Sequence, residues 1–106
     1  EVVLAKMAED QDRLACEAVL LGDFNEEPKG PAVTYCNEYD KLKIIDLTTE
    51  ITGTFHDYGK REFCKIDYIF VTEGLAANVA NVEAWTTEHS GIYLSDHYPI
   101  AATFNL

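Results

Sequence analysis

The order of apolar patterns along these 106 residues predicts an α/β fold, with one mixed, mostly antiparallel sheet and helices on one face. A helical pattern begins the chain, and a short apolar run and a second helical pattern follow it. Three or four strand patterns then fill the second half. The hydrophobic fraction of 47% and the charged fraction of 25% are typical of one globular domain with its own core.

The first half of the chain predicts two helices and a strand. Residues from about 2 to 15 have unevenly spaced apolar positions with an acidic polar face, which favours a helix. Residues 18–21 form an apolar run ended by Gly22, which is typical of a strand buried on both faces. After a breaker-rich loop, Pro31 suits the first turn of a second helix. Residues 42–47 indicate a connector or a strand.

The second half predicts strands. Residues 66–71 alternate, so Ile66, Tyr68 and Phe70 share one face, and Asp67, Ile69 and Val71 share the other. Two further strands are expected over residues 81–86, which include Trp85, and over residues 98–104.

Composition limits the classes of function. Three cysteines without a CxxC spacing argue against a zinc site and a disulfide framework, so we expect free thiols in a reducing compartment such as the cytoplasm. No apolar stretch is long enough to span a membrane, and the first residues do not form a signal peptide. Since the chain starts without Met, we expect a processed or truncated piece.

The formal net charge of −11 disfavours a polyanionic ligand. Either the substrate is small, or a metal and a few local cations recognise phosphate, or a part of the protein outside this chain is basic. Lys60, Arg61 and Lys65 are candidate cations, although a solvated basic loop explains them equally well.

Asp23 and Asn25 follow the first strand, two residues apart. A carboxylate can bind a divalent cation or orient a water, and an amide can donate to a phosphate oxygen. The alternative is ordinary turn chemistry, in which the Asp side chain accepts a hydrogen bond from the backbone two residues later.

A second candidate group joins Asp67 to the Asp96-His97 pair. Adjacent strand residues point to opposite faces, so Asp96 is poorly placed to orient His97. Asp67 lies on an apolar face, where an unpaired charge is costly, and it is therefore the better partner for His97. The alternative is a surface histidine and an edge carboxylate. Asp96 is then free to face a metal or a water.

Thr54-Phe55-His56 is a weaker candidate for substrate binding. An aromatic ring and a histidine on a loop can stack on a sugar or a base, or border a phosphate. A half-buried pair of loop residues is the alternative.

Three strings, Gly22-Asp23-Phe24-Asn25, Ile66-Asp67-Tyr68 and Ser95-Asp96-His97, resemble in this order the C-terminal half of the endonuclease/exonuclease/phosphatase superfamily. Thr54-Phe55-His56 followed by the Lys-Ile-Asp-Tyr-Ile-Phe string is most similar to its small bacterial members. The resemblance implies that residues 1–106 are the C-terminal portion of a single domain whose N-terminal half is absent. They would form half of a deoxyribonuclease-I-like four-layer sandwich.

The resemblance also implies roles for the matching residues. Asp23 would orient or deprotonate the attacking water and help to hold the metal, and Asn25 would bind the substrate and stabilise charge on its phosphoryl oxygens. His97, held by Asp67, would act as an acid/base or as a donor in the transition state. Asp96 would lie at the site of a Mg²⁺ or Mn²⁺ ion. Without the family's N-terminal metal-binding Glu, binding of this ion would be weak or absent.

The implied function is metal-dependent hydrolysis of a phosphodiester or phosphomonoester by an activated water, with this chain inactive on its own. The substrate would be a nucleic acid, a phospholipid head group or an inositol phosphate. A non-catalytic structural or interaction module with a degenerate phosphoesterase fold is the alternative. In either case the N-terminal half or a second chain would cover the exposed sheet face.

Overall fold

The computed structural model of the protein describes residues 1–60, 64–86 and 91–106. The helices and strands, in chain order, are α1 (Val2–Leu14), β1 (Val19–Asp23), α2 (Pro31–Glu38), β2 (Ile44–Asp46), β3 (Asp67–Thr72), α3 (Glu73–Ala76), β4 (Val79–Ala84) and β5 (Ile100–Phe104). The predicted order of elements is confirmed, and the short helix α3 is an addition.

The strands form two antiparallel sheets in the described residues. The first has the order β1-β3-β2, so β3 is central, and the second is the pair β4-β5. The α/β class with antiparallel strands is therefore confirmed, but the strands do not form the single mixed sheet that the patterns predicted. Instead, β5 pairs with β4, and Phe55 forms isolated bridges to Cys64 and to His97, which lie outside both sheets.

The core lies between the two longer helices and one face of the first sheet. Leu4 of α1 and Val33 of α2 belong to the same buried cluster as Tyr68 and Phe70, which are fully buried on β3. Burial of these apolar side chains is the main favourable contribution to folding. Because strand residues alternate, the other face of β3 presents Asp67.

Strand β1 differs from its prediction. It lies at the edge of its sheet, and Val19 and Leu21 are 43% and 64% exposed, so it is not buried on both faces. Their side chains line an open groove of about 600 Å³ together with Ile69 of β3 and the β5 residues Ile100 and Phe104. The β1 part of the sheet face on which Asp67 lies is therefore uncovered, whereas Ile69 and Val71 of β3 on the same face are buried.

Among the helices of the described residues, none has both the length and the apolar character that crossing a membrane requires. All three cysteines, Cys16, Cys36 and Cys64, are free thiols.

Candidate active site

Two carboxylates lie directly opposite each other where β1 meets β3. Asp23 is the last residue of β1, Asp67 is the first residue of β3, and the two are partners in the antiparallel register. Like charges in opposed positions of a sheet repel each other. The arrangement therefore needs a cation or a hydrogen-bond donor nearby.

His97 supplies that donor. Its Nδ1 lies 2.8 Å from Oδ2 of Asp67, and its Nε2 lies 3.7 Å from Oδ2 of Asp23. The three ligand-capable atoms of Asp23, Asp67 and His97 all lie within 4.8 Å of one another. The structure thus brings these residues together from three distant segments, including the pairing of Asp67 with His97 that the sequence favoured.

The surroundings of His97 favour its protonated form. Partial burial lowers the pKa of the imidazole, but the hydrogen bond to Asp67 and the charges of Asp67, Asp23 and Asp96 outweigh this. The net effect is a pKa above the ordinary value of histidine. The group can therefore donate a proton or a charged hydrogen bond at a higher pH than a free imidazole can.

Asp23 also stabilises the turn that follows β1, which is the alternative role that its position in the sequence suggested. Its Oδ1 accepts a hydrogen bond of 2.8 Å from the backbone N–H of Asn25, and the backbone of Asn25 is left-handed, with φ 53°. Asparagine tolerates this conformation better than most residues. One oxygen of Asp23 therefore stabilises the turn while the other faces His97.

Asp96 is adjacent to this group but outside it. Its Oδ1 lies 4.0 Å from Nε2 of His97, which is beyond hydrogen-bonding distance, and its side chain is 42% exposed. The three carboxylates of Asp23, Asp67 and Asp96 offer the oxygen ligands that Mg²⁺ and Mn²⁺ prefer. Three carboxylates, of which Asp67 also bonds His97 and Asp23 also bonds the turn, do not complete an octahedral site, so they fit a divalent cation as part of a larger ligand set.

His56 lies deeper than its predicted role requires. It is 2% exposed, and its ring packs between Tyr93 and Tyr98, with centroid distances of 4.6 and 4.3 Å. Its Nδ1 accepts a hydrogen bond of 3.1 Å from the N–H of Gly59. Because aromatic rings already contact the imidazole, stacking on a substrate is not open to it. Substrate binding by His56 stays a prediction for its Nε2 edge, which has no partner in the described residues.

Of the candidate cations, the structure describes Lys60 and Lys65. Lys65 is 4% exposed, lies 3.8 Å from Asp46 and donates to the backbone oxygen of Thr48. Burial lowers its pKa, although Asp46 partly offsets this. Lys60 is exposed, and Arg61 lies outside the described residues. Lys65 is thus a buried structural cation and not part of a solvated basic loop.

Three residues around His97 make contacts that the sequence did not predict, although each lies in a string that it singled out. Ser95 accepts a hydrogen bond of 3.2 Å from the N–H of His97 through its Oγ, and the Phe55 ring packs edge-on against the imidazole at 5.1 Å. Thr54 is fully buried, and its hydroxyl accepts hydrogen bonds from the N–H groups of Ile66 and Asp67. The Thr-Phe-His string drew attention through its ring residues, and nothing in the pattern distinguished its threonine.

Fold and site together define an α/β protein in which two carboxylates and a histidine meet at the edge of a sheet. Comparison with solved structures agrees with this. The endonuclease/exonuclease/phosphatase from Bacteroides vulgatus superposes with a TM-score of 0.76 at 25% sequence identity. The similarity covers 97% of this chain and 42% of that one.

The chain therefore has part of an endonuclease/exonuclease/phosphatase fold, as its three motifs predicted. No family model and no curated protein matches the sequence.

Proposed function

We propose that the intact protein is a phosphoesterase that requires Mg²⁺ or Mn²⁺ and cleaves a P–O bond with an activated water. The observation that supports this most is the imidazole of His97 between two opposed carboxylates, in a fold shared with an endonuclease/exonuclease/phosphatase. A sheet that opposes two like charges gains nothing in stability from them alone. The placement of the two carboxylates is best explained by a role in catalysis.

The roles follow from which atoms are free. Nδ1 of His97 is hydrogen-bonded to Asp67, so Nε2 is the atom that can meet a phosphoryl oxygen or a leaving group. Asp67 fixes the tautomer of the ring and favours its charged form. Oδ2 of Asp23 faces the same space, where it can accept a proton from the attacking water. Asn25, in the turn that Asp23 stabilises, would donate to the phosphoryl oxygens.

A divalent cation held partly by Asp96 and Asp23 would neutralise charge that develops on the phosphate. The remaining ligands would come from the substrate, from water and from a part of the protein outside this chain. The substrate is a phosphate ester of the class found in nucleic acids, phospholipid head groups and inositol phosphates. The net charge of −11 disfavours a long duplex.

We also propose that residues 1–106 are the C-terminal portion of the domain, and that its N-terminal half covers the groove beside β1. The chain corresponds to 42% of the similar structure, and the groove presents the exposed apolar side chains of Val19 and Leu21. Exposed apolar surface of this kind is typical of an interface. On its own, the chain would lack activity because its ligand set for the metal is incomplete.

The test is hydrolysis of bis(4-nitrophenyl) phosphate by the intact protein with millimolar Mg²⁺ or Mn²⁺. His97→Ala and Asp23→Asn should each lower kcat by about 10²- to 10⁴-fold, because each removes a group that acts on the reacting atoms. Asp12→Asn, on the exposed side of α1, removes the same charge far from the site and is the matched control.

Full activity in both site variants would contradict the assignment of these residues. If the intact protein neither hydrolyses the ester nor gains thermal stability from either metal, the non-catalytic module is the better description. The net charge and the incomplete ligand set are consistent with that alternative.

A further inference from the structure

Thr54 is a fully buried residue that contacts the strand carrying Asp67. Its hydroxyl oxygen accepts hydrogen bonds of 3.1 Å from the N–H of Ile66 and 3.2 Å from the N–H of Asp67. Asp67 begins β3, so its N–H is fixed by this side chain at the point where the strand starts. The position of the Asp67 backbone therefore depends on Thr54.

The same residue also fixes the segment that carries His97. The backbone oxygen of Thr54 accepts a hydrogen bond of 2.6 Å from the N–H of Tyr98. On the next residue, Phe55 forms a bridge to His97, and the N–H of His56 donates to the backbone oxygen of Asp96 at 2.9 Å. Residues on both sides of the Asp67–His97 hydrogen bond are thus tied to one short segment.

We propose that Thr54 is a positioning residue, which sets the distance between Asp67 and His97 through its hydroxyl on one side and its backbone oxygen on the other. The effect of Thr54 on catalysis rests on the function proposed above. The hydroxyl acts through Asp67. Without it, two half-buried N–H groups would lose the partner that the hydroxyl gives them, and the start of β3 would shift to find new ones. A shift of the carboxylate by a fraction of an ångström is enough to weaken the 2.8 Å bond to Nδ1 of His97.

The experiment compares three variants of the intact protein. Thr54→Val keeps the shape and removes the hydroxyl, and Thr54→Ser restores it. Thr72→Val is the matched control: Thr72 is 1% exposed, lies at the far end of β3, and its hydroxyl likewise accepts from a backbone N–H, that of Ala18. Loss of the Thr72 hydroxyl should destabilise the fold without changing the hydrogen bond between Asp67 and His97.

The main readout is the NMR signal of the Nδ1–H proton of His97, which a hydrogen bond to a carboxylate moves downfield. We expect Thr54→Val to lose or shift this signal, and both Thr54→Ser and Thr72→Val to keep it. With bis(4-nitrophenyl) phosphate as substrate, kcat should fall by about 10- to 100-fold in Thr54→Val with little change in KM. Thr54→Ser should recover most of the wild-type kcat.

An unchanged His97 signal in folded Thr54→Val would overturn the proposal. If the wild-type protein shows no turnover, the proposed function fails, but the NMR comparison still decides the role of Thr54. Should Thr54→Val not fold, amide hydrogen exchange of the wild type decides instead. Equal opening free energies for the N–H groups of Asp67 and Tyr98 would support the coupling through Thr54, and clearly different ones would refute it.

Discussion

Replacing Asp67 with asparagine tests the electrostatics of the site most directly, since Asp67→Asn removes one charge and keeps the shape. An amide oxygen can still accept from Nδ1 of His97, so the hydrogen bond remains but its acceptor loses its charge. Charged bonds contribute roughly 1.5–3 kcal/mol and neutral ones roughly 0.5–1.5 kcal/mol. The side chains of His97 and Asp67 are 26% and 16% exposed, so solvent screens part of the difference. We expect a loss of about 1 kcal/mol in unfolding free energy at pH 6.

The sign of the pH dependence follows from the raised pKa of His97. A folded-state pKa above the unfolded value adds stability that is fully present below the unfolded pKa of about 6.5. This stability is lost as the pH rises through the folded pKa. The cost of Asp67→Asn should therefore shrink as the pH rises through the folded pKa, above which a neutral His97 no longer offsets the charges of Asp23 and Asp67.

Urea unfolding at several pH values measures the free energies, and an NMR titration of the His97 ring gives its pKa. The pKa should be highest in the wild type, lower in Asp23→Asn and lowest in Asp67→Asn, because Asp67 acts through a hydrogen bond and a charge, whereas Asp23 acts through charge alone. Asp12→Asn should leave it unchanged. A pKa in Asp67→Asn equal to that of the wild type would refute the reasoning.

Three further substitutions test other contacts. Tyr68→Phe removes a hydroxyl that donates to the backbone oxygen of Glu26 at 2.8 Å, so the unfolding free energy should fall by about 1 kcal/mol. Burial and nearby acidic groups raise the pKa of this hydroxyl to about 12, so the loss should not depend on pH below 9. An unchanged value in urea unfolding would contradict this contact. Lys65→Met leaves Asp46 without its buried cation and should cost about 3 kcal/mol by the same assay, so a loss below 1 kcal/mol would show that the pair is screened. Leu21→Ser should change the stability of the 106-residue chain by less than about 0.5 kcal/mol, but cost about 2 kcal/mol in the intact protein if the groove is covered there. Equal effects in both would argue against a covering N-terminal half.

Local pattern was sufficient for most of the fold. The alternation over residues 66–71 predicted which residues of β3 share a face, and the carboxylate among apolar residues on one face led to its pairing with His97. That inference worked because it used a general cost, the burial of an unpaired charge, which does not depend on the detailed path of the chain.

Contacts between distant segments could not be predicted in the same way. The apolar run that became β1 has the same composition whether or not another layer covers it, so its exposure at the sheet edge was invisible. Lys65 was expected to be either a phosphate-binding cation or part of a solvated basic loop, because its partner Asp46 on β2 is distant in sequence. Thr54 carries no ionisable group, and its importance depends on where two other strands begin.

The turn at Asp23 has a consequence for ligand binding. A carboxylate that is free to rotate must be ordered when a ligand arrives, at a cost of about 0.5–1.5 kcal/mol for an immobilised side chain. Here the N–H of Asn25 already holds one carboxylate oxygen, so the rotamer of Asp23 is set when the chain folds. The turn and the site, which looked like competing explanations for Asp23, are therefore compatible. The turn preorganises the Asp23 oxygen that faces the imidazole of His97.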